Sequence, residues 1–193
     1  MTQTNIPNTN IPVATEDNLF TTGWFIYLQG VYKAIRAKFN LNISGILSVN
    51  TTSVSNVGVA ETDLINYKLV KNTLQNNGDI LTIKSWGSFA TNVNNKQVKL
   101  KFGSQMIFDS SSLPFNGSWE INSTIIRISP TSQEIVANIS YTSSLNSPKD
   151  SITRTLGNQD LTLDNIIKCT GQAIATDDIT QYSMIVGLTP NDN

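Results

Sequence analysis

Residues 80 to 128, ILTIKSWGSFATNVNNKQVKLKFGSQMIFDSSSLPFNGSWEINSTIIRI, hold three stretches of two-residue alternation separated by two turn clusters, and no other feature limits the fold so strongly. Successive side chains on a strand point to opposite faces, so Ile80, Thr82, Lys84, Trp86 and Ser88 form one row and Leu81, Ile83, Ser85, Gly87 and Phe89 the other. The second row is expected inside, which makes Trp86 the exception on the outer row. Val98, Lys99, Leu100, Lys101 and Phe102 alternate cleanly, apolar residues inward and lysines outward. Gly103 breaks the parity before Met106 and Phe108 resume it, which predicts a bulge or bend within one strand. Trp119, Ile121, Ser123 and Ile125 oppose Glu120, Asn122, Thr124 and Ile126, so this strand is partly apolar on both sides. Such a strand is central in its sheet, or its outer face meets another chain.

Asn, Thr and Ser make up about a third of the 193 residues, and 14% are charged. This mixture disfavours helix and suits strands, turns and uncharged polar surfaces. The length accommodates one β-sandwich of about 100–150 residues plus an extension. With a formal charge of −1 and no run of lysine or arginine, the chain offers no electrostatic footprint for a phosphate backbone, so no nucleic-acid partner is expected. The absence of histidine removes the commonest general base and the commonest metal ligand. The expectation is therefore a protein that is not an enzyme and uses no cofactor. Cys169, the single cysteine, lies in the strand-like run IIKCTG and is expected as a small buried residue.

In chain order, residues 1–18 lack the basic and apolar pattern of a secretory leader and read as an extended N-terminal arm, with Pro7 and Pro12 in repeated NIP triplets. Residues 19–39 form the one amphipathic helix, with Trp24, Leu28, Val31 and Ile35 spaced four, three, four as a short heptad seam. Three readings of it compete: an oligomeric stalk or anchor, a helix docked on its own sandwich, and a membrane segment. Leu19–Tyr32 is too short to span a bilayer, so no membrane is expected, and the polar spacer that follows favours the stalk. Residues 40–57 read as that linker, with room for one short strand. From 58 to 193 strands are expected near 61–70, 80–90, 96–108, 118–129, 134–144, 151–156, 163–175 and 180–189. Inward rows are Ile135, Ala137, Ile139, Tyr141 and Tyr182, Met184, Val186, Leu188. The fold class is all-β: an eight-stranded jelly-roll β-sandwich with a short N-terminal helix and an extended arm.

Three kinds of site present themselves. Trp86, Trp119 and Tyr141 fit either an aromatic glycan platform or core and interface packing. Asp177 and Asp178 could form a calcium corner with Asp160 or Asp164, but no EF-hand spacing is present, a solvated inter-strand loop is the favoured reading, and no metal site is assigned. Glu120 and Glu134 would have to face one cleft to cleave a glycoside, and nothing in the sequence brings them together.

The stretches NTLQNNGDILTIKSWGSFA, KLKFG, the NGSW turn, and KCTGQA followed by DDIT and MIVGL resemble, within residues 56–188, a β-rich module of structural proteins from tailed bacteriophages. Those modules look like trimeric jelly rolls of the tumour-necrosis-factor type. The resemblance implies a non-enzymatic virion component, a fibre, head-decoration or collar and tail protein, assembled as a homotrimer. Its N-terminal segment would attach to other virion proteins, and a host-surface glycan is the alternative partner. No catalytic residues carry over.

Overall fold

The computed structural model of the chain describes residues 44–142 and 148–191, together with Trp24, Tyr27, Leu28, Gly30 and Val31. The chain divides into two units, Met1–Ile43 and Ser44–Asn193. The five described residues of the first unit are helical, and the rings of Trp24 and Tyr27 meet edge to face at 5.7 Å. The expected arm and Ile35 lie outside the described residues. No helix among the described residues is long and apolar enough to cross a membrane.

The described residues of the second unit form eleven strands: β1 Gly45–Asn50, β2 Val54–Ser55, β3 Thr62–Leu69, β4 Ile80–Phe89, β5 Lys96–Phe102, β6 Gln105–Asp109, β7 Gly117–Ser129, β8 Ser132–Thr142, β9 Pro148–Gly157, β10 Asn165–Ala173 and β11 Ile179–Thr189. All pairings are antiparallel. The larger sheet runs β1-β11-β4-β7-β8-β9, with β2 also on β11, and the smaller runs β3-β10-β5-β6. With β1 as the first strand, the order β1-β11-β4-β7 against β3-β10-β5-β6 is that of a jelly roll, widened by the β8–β9 hairpin.

Several expectations need correction. The span 96–108 is two strands, because Gly103 at φ 59 lets a two-residue turn reverse the chain and pair Phe102 with Gln105. Within the span 40–57, read as a linker with room for one short strand, β1 and β2 both pair with β11 and so belong to the larger sheet. Tyr182 does not share the inward row of Met184, Val186 and Leu188. A bulge sets both Gln181 and Ser183 against the adjacent Gly87 and Trp86, so Tyr182 is the extra residue and turns outward, 44% exposed.

On β6 a register shift leaves Met106 exposed and buries Ile107 beside Phe108, so the expected Met106–Phe108 row does not form, whereas on β4, β5, β7 and β8 the parity rule holds. Leu81, Ile83, Ser85, Gly87 and Phe89 are buried, as are Val98, Leu100 and Phe102, and these rows from the two sheets meet in one core with Ile121, Ile125, Ile135, Ile139, Ile167 and Val186. Apolar burial at roughly 25 cal/mol per Å² is what drives the layers together. A polar tether through Gln181 crosses the core. Gln181 Nε2 donates to Ser85 Oγ at 2.7 Å, and Gln181 Oε1 accepts from the Ile65 backbone N–H at 2.8 Å. That N–H needs a partner because β3 bulges opposite Cys169, where the register jumps between Lys168 and Thr170. Cys169 is fully buried there, and burial pushes its thiol up to about 12. It is a packed, protonated side chain, as the sequence led one to expect.

Candidate functional site

At the Trp86 end of the larger sheet, its outer face holds an open cavity of about 540 Å³. Trp86, Lys84, Ser118, Glu120, Ser140 and Tyr182 are among the residues that line it, with Gly87, Trp119, Tyr141 and Thr142 completing the wall. Register explains the grouping. Trp86 pairs with Glu120 across β4–β7, Glu120 with Ser140 across β7–β8, and Ser183, beside the bulged Tyr182, with Trp86 across β11–β4. Residues directly opposite one another on one face stand close enough to share a surface. Tyr182 is held upright by a 2.8 Å hydrogen bond between its hydroxyl and Ser88 Oγ.

Of the three aromatic residues singled out above, only Trp86 belongs to the outer row. Trp119 is 2% exposed and packs in the core beside Phe89, with ring centroids 6.1 Å apart. It therefore cannot offer a ring face to a ligand, which corrects its place in the platform. Its Nε1 is buried without a hydrogen-bond partner among the described residues. Tyr141 is half-buried and meets Phe115 edge to face at 4.6 Å. Trp119 reaches under β4 because residue 87 has no side chain. A Cβ there would lie 2.7 Å from Trp119 Cζ2 and 1.9 Å from the Thr180 carbonyl oxygen. The fourth aromatic, Tyr182, was missed because a bulge leaves no mark in the two-residue pattern.

The cavity carries one cation and one anion. Lys84 Nζ stands 3.1 Å from Glu120 Oε1, and Asn122 Nδ2 donates to the same oxygen at 2.8 Å. The Asn122 amide and the Lys84 ammonium hold the Glu120 carboxyl below its ordinary range, against the smaller opposing effect of burial. Glu134 does not join it. It pairs with Ile126 across β7–β8 and binds Arg154 Nε at 2.8 Å, six positions along the strand from Glu120, or about 20 Å at ~3.4 Å per residue. Two carboxylates that far apart do not form a glycosidase pair.

The aspartates of the loops are occupied separately. Asp178 is buried and accepts from Asn92 Nδ2 at 2.6 Å and Asn94 Nδ2 at 2.9 Å. Lys96, also fully buried, lies in the same knot, donating to Asn92 Oδ1 at 2.7 Å and to the Asn94 and Phe115 carbonyls at 3.0 Å each. Asp160 bonds Thr162, and Asp164 pairs with Lys68 at 2.7 Å. The structure thus does not bring these aspartates together, and among the described residues no three His, Cys, Asp or Glu side chains form a group that could hold a metal ion. Trp24, Leu28 and Val31 are helical, with Leu28 exposed.

Fold and cavity together define a jelly-roll β-sandwich with an open, aromatic-walled surface cleft. No family model and no curated protein matches the chain. Among solved structures it is similar to the CBM2 module of the evolved Dit of Lactobacillus casei BL23 phage J-1, at 10% identity and a TM-score of 0.42, over 78% of this chain and 98% of that one.

Proposed function

We propose that the sandwich is a non-catalytic saccharide-binding module of a bacteriophage virion protein. The observation that carries the saccharide reading is the outward Trp86 beside Tyr182, above a cleft whose polar side chains are hydroxyls and a single ion pair. A partly exposed indole offers an apolar plane to the C–H face of a sugar ring, and convergent hydroxyls and charges orient its oxygens. The wide separation of Glu120 from Glu134 supports binding without cleavage. The virion setting is supported by the sequence resemblance of residues 56–188.

Trp86→Ala is expected to abolish glycan-array binding and sugar-induced tryptophan quenching while leaving the fold intact, since Trp86 lies outside the core. Retained binding in this variant would remove the basis of the reading. Within the same proposal the chain assembles as a homotrimer and joins other virion proteins through residues 1–39. The exposed Leu28 on a helical seam supports this part. Sedimentation of the full chain as a monomer at micromolar concentration would count against the trimer.

A further inference from the structure

We infer that this cleft selects neutral hexopyranosides with adjacent free hydroxyls over uronate-containing glycans, an inference that rests on the saccharide reading above. The lining contains one ammonium, Lys84, and one carboxylate, Glu120, already paired at 3.1 Å. Together they add no net charge to the cleft. An anionic sugar would have to compete with Glu120 for Lys84 and would bring a second carboxylate beside the first, where like charges repel.

The pair is nevertheless left with bonding capacity that suits a diol. Glu120 Oε1 is committed to Lys84 and Asn122, while Oε2 has no partner among the described residues. An ionised carboxylate oxygen accepts and cannot donate, so Oε2 calls for a hydroxyl proton. Lys84 carries three N–H donors and directs one at Oε1, which leaves donors for the oxygen of a neighbouring hydroxyl. Adjacent sugar hydroxyls can answer both, one donating to Glu120 and the next accepting from Lys84. A sugar carboxylate can accept from Lys84 but has no proton for Oε2. Ser118, Ser140 and Thr142 each donate and accept without charge, so they add orientation and no preference for an ion. Trp86 is Glu120's cross-strand partner, so a ring stacked on the indole has its edge oxygens over the ion pair.

The experiment titrates the full chain, by calorimetry and tryptophan fluorescence, with matched tetrasaccharides of glucose, galactose and mannose and with the corresponding uronates. At least one neutral series is expected to bind, to lose at least tenfold on Trp86→Ala, and to exceed its uronate at least tenfold. Glu120→Gln, checked for folding by circular dichroism, is expected to weaken the neutral ligand and tighten the uronate, because Lys84 is released from its partner. Uronates that bind as well as their neutral counterparts, with the same loss on Trp86→Ala, would overturn the selectivity while the saccharide reading stood. Unchanged selectivity in Glu120→Gln would overturn the role of the ion pair, and binding by none of the oligomers would sink the saccharide reading itself.

Discussion

Two residues show how much a single side chain, or its absence, decides here. Gly87 owes nothing to a special backbone angle; it is required because the Trp119 ring and the Thr180 carbonyl occupy the space a methyl group would need. Overpacking of this kind costs about 1–3 kcal/mol, and with backbone as one obstacle Gly87→Ala is expected at the upper end. A lowered urea midpoint with an unchanged m-value would show it. Glu61 is the second case. Burial raises its carboxyl, but hydrogen bonds from Lys101, from Lys99 at 2.8 Å and from Thr170 at 2.7 Å prevail and hold it at about 2 instead of the ordinary 4.5. Because the folded value is the lower one, its stabilisation is complete above pH 4.5 and is lost as the pH falls towards 2. Allowing for solvent screening of a part-exposed cluster, Glu61→Gln is expected to cost about 1–2 kcal/mol near neutrality and to flatten acid unfolding between those values. Acid titration of both proteins by circular dichroism compares the two curves.

At the scale of elements, the loops before β5, before β7 and before β11 are held by one buried ammonium. Lys96 serves carbonyls from residues 92, 94 and 115, and Asn92 and Asn94 pass on to Asp178. Burial lowers the Lys96 pKa, and the charge of the nearby Asp178 works the other way. Lys96→Met is expected to destabilise by about 3 kcal/mol, since removing one buried charge strands the groups that answered it. The double variant with Asp178→Asn should lose less than the sum of the two single losses, as coupled neighbours do, and denaturant melts of all four proteins measure this. The same scale shows where reading by alternation fails. Gly103 was legible as a break, but whether a glycine marks a bulge or a reversal depends on what the two flanking stretches pair with, here each other.

For the whole molecule, the strands from Ser44 onward close their own core, so a chain starting at Ser44 is expected to fold with an unchanged melting temperature and β-sheet spectrum. Thermal circular dichroism decides this. A marked fall in melting temperature would show that the first 43 residues contribute to the sandwich.

What the sequence by itself determined is which rows face inward: the apolar positions of β4, β5, β7 and β8 follow the two-residue period because every strand must bury one face. It also placed Trp86 outside and Cys169 inside. What only the tertiary structure decided is how those rows are joined. The bulge that turns Tyr182 outward, the tuck of Trp119 beneath Gly87, and the capture of β1 by β11 all depend on which strand lies alongside which. Hydrogen-bond register between segments distant in the chain is a property of the assembled sheet, and no single strand carries it in its own pattern.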